Sequence, residues 1–241
     1  YREYMGFAAA YEVHLDELAE SMRDAGLTPK LAITELSIFT LKSHLPNVDN
    51  LSEAIYYTGI VNTAIRSRGL VELITHSALV NHSGGLAKER GRVYPHPLWW
   101  ALYLYGTQQG RIPLELIGEY GTLSCSSQWL SPTKPAPVLD AVALIDENKT
   151  QIAVMLTNRH PRDKMDLEVT VTGNNISSRG RLWSLSGESF MDKNTFDAPD
   201  KVSVQKSTVT RKDGSFALTL PPHSVNRLDV SLILNQNFKR K

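Results

Sequence analysis

Two short apolar runs constrain this chain more than any other feature. KLAITE (30–35) and the opening of LVELITHSALV (70–80) have the composition of strands buried on both faces. They alternate with helical segments, an order that argues for parallel βα units. Two strands do not complete such a sheet. The missing strands must come from later in the chain or from polypeptide outside it.

The later chain does not supply them, because its texture changes at about residue 111. RIPLELIGE, VLDAVALID, TQIAVMLTN, MDLEVTVTG and GSFALTL are short runs with partial alternation. DENK, RHPRD, GNN and KDG separate them as turns. That spacing predicts an antiparallel, jelly-roll-like β-sandwich. SPTKPAP (131–137) reads as an irregular crossing segment. The expected fold class is therefore α/β followed by all-β. Residues 1–110 form the C-terminal βα units of a larger α/β domain, and 111–241 form the sandwich.

Three helices are expected in the first part. Over 8–25, Ala8, Tyr11, Leu15, Leu18, Met22 and Ala25 recur at steps of three and four, with Gly26 and Thr28-Pro29 as the stop. Over about 51–66, Leu51, Ala54, Ile55, Val61 and Ile65 form the stripe, with Asn50 as a possible cap and Glu53 three residues on. The third opens at Pro97 and runs through LWWALYLYG, apolar nearly all round and so expected to be deeply covered. Residues 81–96 read as a long mixed loop.

Of the 241 residues 41% are hydrophobic, enough for a sizeable core, and a net charge of +1 gives no field directed at nucleic acid or an anionic membrane. The closing NFKRK reads as a solvated chain end. Cys125 is the single cysteine, so there is no intrachain disulfide and no zinc spacing. His76 and His82 have no carboxylate at a ligand spacing, so neither metal nor cofactor is expected. No run approaches the ~18 apolar residues of a membrane span. No signal peptide is visible, while four Asn-X-Ser/Thr sequons, at Asn50, Asn81, Asn148 and Asn175, hint faintly at a secretory route. Secreted and cytoplasmic locations both stay open.

One acid stands out. Glu35 closes the first apolar run, where catalytic groups of α/β barrels sit. A carboxylate there serves as nucleophile, general base or general acid, or else partners an arginine or caps the next loop. After the second run, His76, Asn81 and His82 are placed to reach the same mouth as substrate contacts or hydrogen-bonded supports. Glu72 falls within the strand and reads as a surface or interstrand residue. Trp99 and Trp100 offer a sugar-stacking wall but fit core packing better. GxGxxG, the P-loop and GxSxG are all absent.

Taken with LAITELS, LVNHS, PHPLWWALYLYG, the run PVLDAVALIDENKTQIAVMLTNRHPRDKMDLEVTVTG, NTFDAPDKV (194–202) and LPPHSVNRLDV (220–230), the chain resembles the C-terminal half of a family 51 glycoside hydrolase, the α-L-arabinofuranosidase group. The resemblance implies the last units of a (β/α)₈ barrel followed by a β-sandwich, in a retaining glycosidase acting on arabinose-containing glycans. It implies Glu35 as nucleophile at the end of barrel strand seven. The acid/base would be a glutamate following an asparagine at the end of strand four, and no Asn-Glu pair occurs here. The implied partners are a carbohydrate substrate and the N-terminal portion of the same enzyme, as a separate or nicked chain, with a homo-oligomer also open. The family usually has an acid before its nucleophile and Trp-Asn after it. Here Thr34 precedes and Leu36-Ser37 follow, and Ala78 stands where a glutamine is frequent. Those departures leave room for another sugar, as in a β-xylosidase or an endo-glucanase or xylanase, or for a noncatalytic carbohydrate-binding protein that keeps the fold.

Overall fold

The computed structural model describes residues 1–82, 84–130, 132–172 and 175–233. The NFKRK tail, Ser83 of HSGG and of the Asn81 sequon, Ser131 of SPTKPAP, and Gly173-Asn174 of the GNN turn lie outside the described residues.

The first part runs α1 (Arg2–Asp24), β1 (Leu31–Ile33), α2 (Leu51–Arg66), β2 (Val71–Ile74), the hairpin β3 (Leu86–Glu89) and β4 (Arg92–Pro95), and α3 (Pro97–Gly106). β1 and β2 pair in parallel, Leu31 with Val71 and Ile33 with Ile74. These strands are not buried on both faces: Ala32 and Glu72 are exposed, and Leu73 is 51% exposed. Among the described residues no third strand joins the pair.

α1 begins six residues before the expected start at Ala8. Its buried residues include Met5, Ala8, Leu15 and Ala19, whereas Leu18 and Ala25, expected in the stripe, are exposed. α2 has the expected bounds, but it is buried almost all round from Leu51 to Ala64. It is the central helix, packed on α1, α3, β2 and the sandwich sheet. Asn50 makes no side-chain cap. Instead, the first N–H groups of α2 donate to sandwich carbonyls, Leu51 to Asp192 O (2.8 Å) and Ser52 to Phe190 O (2.8 Å). α3 starts at Pro97, as expected, but only Pro97, Leu98, Ala101 and Leu104 are buried, and its two tryptophans are half-buried. The β3–β4 hairpin replaces the expected loop. Its turn residues Arg90 and Gly91 both have positive φ, 45° and 82°, which suits a type I′ turn. Arginine is a poor sequence signal for that turn, so the pattern hid it.

The second part contains β5 (Ile112–Leu114), β6 (Thr122–Leu123), β7 (Ala136–Pro137), β8 (Leu139–Ile145), β9 (Gln151–Asn158), β10 (Met165–Thr170), β11 (Ile176–Leu185), β12 (Val204–Thr210), β13 (Ser215–Leu220) and β14 (Ser224–Leu232). Six strands form an antiparallel sheet in the order β12-β11-β14-β9-β8-β5, and β10 pairs with β13 as a second layer. The pattern did not single out β11 or β12. β11 is interrupted by Arg179, Gly180 and Arg181, and β12 is a mostly exposed edge strand.

The six-stranded sheet is covered twice. Ile152, Val154 and Leu156 of β9 meet Phe216 and Leu218 of β13 in one core. Met155, on the opposite face, joins Val142, Trp183, Leu185 and Val225 in a second core with Met5, Ile55, Ile60 and Leu98 of the helices. The helices and the sandwich thus share apolar interior rather than touching at a polar seam. Polar fasteners reinforce it. The Arg159 guanidinium, 1% exposed, donates through Nη2 to Asp140 Oδ2 (2.6 Å), and Arg66 of α2 donates to Asp140 Oδ1 (2.7 Å). A methyl group on Gly59 would collide with that guanidinium, so α2 approaches closely only without a side chain there. Arg227 of β14 donates to Leu104 O (2.6 Å) at the C-terminal end of α3, a charge placed favourably against the helix dipole.

Candidate functional site

Glu35 lies two residues beyond β1, and His76 lies two residues beyond β2, so parallel pairing brings both strand ends to one edge. Hydrogen bonds carry the pairing past the strands. Thr75 N–H donates to Ile33 O (2.8 Å), and Thr75 Oγ1 donates to Thr34 O (2.5 Å). His76 Nδ1 lies 2.8 Å from Leu36 O. A carbonyl only accepts, so Nδ1 carries the proton in that bond. The His76 ring also meets the edge of Tyr57 of α2, centroids 5.9 Å apart.

These bonds fix the segment around Glu35 on alternate residues. Leu36 (7% exposed) and Ile38 (2% exposed) turn inward, while Thr34, Glu35 and Phe39 are exposed. The β1 alternation breaks at the consecutive exposed residues Thr34 and Glu35, after which Leu36 and Ile38 anchor the segment and leave the carboxyl on the open side. The loop that follows is tied to itself and to the sandwich. Thr40 N–H donates to Asn47 Oδ1 and Asn47 Nδ2 returns a bond to Thr40 O, while Asn50 Nδ2 donates to Met191 O (2.9 Å).

The other expected site residues are less closely grouped. Asn81 adopts φ 62° and spends its amide on Lys88, receiving the Lys88 N–H (2.6 Å) and donating to Lys88 O (2.9 Å). It thereby braces the β3 hairpin. His82 is exposed in the adjoining turn. Ala78 also takes a positive φ, 45°. Glu72 pairs with Lys30 on the surface (2.5 Å). Trp100 packs on the helical core against Tyr103. Among the described residues no group of three or more His, Cys, Asp or Glu side chains is placed to hold a metal ion. Among the described residues no helix is long and apolar enough to cross a membrane.

Sequence reasoning missed Glu53. Read as a helix-capping acid, it is fully buried at the start of α2 and accepts the Ile38 N–H through Oε1 (3.3 Å). Burial pushes its carboxyl well above the usual range against the opposing Ile38 N–H bond, and the nearby Asp49 charge adds to the rise. The signal available was its place in the first turn of a helix whose neighbours are apolar.

The two most specific sequence stretches hold the site's surroundings together. Asn194 donates to Pro95 O (2.8 Å) and Val202 O (2.9 Å) and accepts the Val202 N–H (2.7 Å). Phe196 stacks edge-on with Tyr94 under the Arg92 guanidinium, so NTFDAPDKV clamps the hairpin. In LPPHSVNRLDV, both His223 ring nitrogens meet carbonyl oxygens, those of Pro161 and Gly187.

Comparison with known proteins agrees with this architecture. Over 95% of its length the chain superimposes on an alpha-L-arabinofuranosidase from Thermotoga maritima, solved as an arabinose complex, with a TM-score of 0.79 at 21% identity. A thermostable family 51 enzyme from Thermotoga petrophila gives 0.75 at 21% identity over 92% of the chain. A family 51 alpha-L-arabinofuranosidase from Bifidobacterium longum gives 0.75 at 17% over 94%. The chain spans only about half of each, 50%, 47% and 48%. No curated protein sequence matches it. The family model of the alpha-L-arabinofuranosidase C-terminal domain matches residues 34–224, from the residue before Glu35 to the start of β14. By that match the chain belongs to the alpha-L-arabinofuranosidase C-terminal domain family.

Proposed function

We propose that this chain supplies the nucleophile, Glu35, of a retaining α-L-arabinofuranosidase, and that polypeptide outside these 241 residues supplies the acid/base. The observation that carries this reading is the position of Glu35. It stands exposed just past the C-terminal end of a parallel strand, on a segment held by Thr75 and His76 of the neighbouring strand end. In a barrel that is where loops build the site. Residues 1–110 then form the last units of a (β/α)₈ barrel, and 111–241 the sandwich.

The chemistry follows from one carboxylate. Ionised Glu35 attacks the anomeric carbon while the second carboxyl, ~5 Å away, protonates the departing glycosidic oxygen. Water then displaces Glu35 from the glycosyl-enzyme, activated by the same acid/base. His76 orients the Glu35 segment by holding Leu36 O, and His82 and Asn81 border the mouth where substrate hydroxyls bind.

The exposed apolar residues support a partner for the first part. Leu27, Phe39, Leu41, Leu73, Leu79 and Val80 are each more than 40% exposed. A contiguous apolar surface of that kind would mark an interface, and we propose that these residues form one. We assign it to the preceding portion of the same enzyme, which would bring the remaining barrel strands to the open β1–β2 pair.

The test is Glu35→Gln in the full-length protein with an aryl α-L-arabinofuranoside. Loss of at least about 10³-fold in kcat is expected, and full retained activity eliminates Glu35 as nucleophile. A second reading keeps the reaction and changes the sugar. It is favoured by Thr34, Leu36-Ser37 and Ala78, where the family pattern differs. Faster hydrolysis of an aryl β-xyloside or of a xylan or glucan chain than of the arabinofuranoside would select it.

A further inference from the structure

We infer that Glu53 is a positioning residue, which locks the Glu35-bearing segment against the loop after β2 through one buried carboxyl. The inference deepens the proposed function and rests on Glu35 being the nucleophile.

Three observations meet at this side chain. Oε1 accepts the backbone N–H of Ile38, three residues from Glu35 (3.3 Å). Oε2 is buried with no hydrogen-bond partner. Gly84, in the loop after β2, lies so close that a Cβ there would overlap Glu53 Oε2 and the Val48 carbonyl oxygen, and its φ of +47° also favours glycine. The carboxyl thus fills the gap between the two loops that border the site. A buried polar atom without a partner is costly, so a carboxyl kept there for packing alone is a poor solution.

Among the described residues the Glu35 segment is fastened by Thr75 on Thr34, His76 on Leu36 and Glu53 on Ile38. The first two come from the neighbouring strand end. Glu53 stands on α2, whose first N–H groups are tied to sandwich carbonyls. It therefore ties the Glu35 segment to a helix that is itself fastened to the sandwich. Burial keeps the carboxyl protonated to higher pH, as expected of a neutral bridge rather than a charge facing substrate.

The test uses the full-length protein, with active sites counted by the burst of aryl leaving group. Glu53→Ala is expected to lower kcat per titrated site about tenfold to a hundredfold with KM changed less than about threefold, the scale of a small misplacement of a reacting group. Glu53→Gln, uncharged and of the same shape, is expected to restore kcat. A merely structural role would reduce the number of titrated sites and leave kcat per site alone, and that result overturns the inference. Equal loss in Glu53→Gln and Glu53→Ala also overturns it, because charge would then be the requirement. Should Glu53→Ala not fold, Gly84→Ala places a methyl against the same carboxyl, and unchanged kcat per site in that variant is decisive against it. Glu35→Gln with full activity removes both claims, whereas an inactive Glu35→Gln beside an unaltered Glu53→Ala removes only this one.

Discussion

In the six-stranded sheet, Val154 and Met155 point to opposite faces and are 3% and 0% exposed. In the parallel pair, Leu73 is 51% exposed and its neighbour Glu72 lies in solvent. Leu73 is as apolar as Val154 and Met155, and what differs for it is cover. β9 has β13 on one side and the helices on the other, whereas the parallel pair has α2 and an uncovered side. A strand reads as doubly buried from its own composition, but burial belongs to what lies on each face. The less covered region carries the candidate nucleophile, Glu35, exposed two residues past β1.

That contrast predicts unequal responses to equal changes. The largest effect on stability is expected from Asp140→Ala, which strands the buried Arg159 charge. Breaking such a pair costs about 3–5 kcal/mol, read as a lower urea midpoint. Met155→Ala, at the contact between sheet and helices, is expected to cost about 2–5 kcal/mol, and Leu73→Ala less than half as much in the same chain. Equal costs would mean that the parallel pair is covered after all. Glu72→Ala, which removes a surface pair with Lys30, is expected to change stability by less than about 1 kcal/mol.

A pH test sharpens the comparison at the boundary between the regions. The folded-state carboxyl of Glu53 titrates above its ordinary value of 4.5, so between that value and the raised one the folded state binds more protons than the unfolded. Its contribution to stability is therefore present below 4.5 and is lost as pH rises toward the folded value. Asp49, whose charge adds to the rise, is itself paired with Lys193 (2.8 Å). In the Glu53→Gln variant that part of the pH slope should vanish, and an unchanged slope would assign it to other groups.

Much of the fold was legible because periodicity is local. The bounds of α2, the start of α3 at Pro97, and the cores of β8, β9 and β13 follow from apolar spacing and turn residues. The hairpin turn at Arg90-Gly91 and the strand β11 were not, because a left-handed arginine and two arginines flanking Gly180 break the usual signals. At the candidate site, Glu35 was visible as an acid after an apolar run. Asn81, expected at the mouth, turns its amide to Lys88.

The sequence by itself determined the three helices and the two strands between them, the parallel character of the first pair, the change to antiparallel strands and the family resemblance, since each rests on neighbours along the chain. Only the tertiary structure decided that α2 is enclosed by both parts, that sandwich carbonyls cap it, that Asp140 joins Arg66 to Arg159, and that Glu53 is buried beside Gly84. Those facts depend on which distant groups desolvate one another, and no spacing within a segment encodes that.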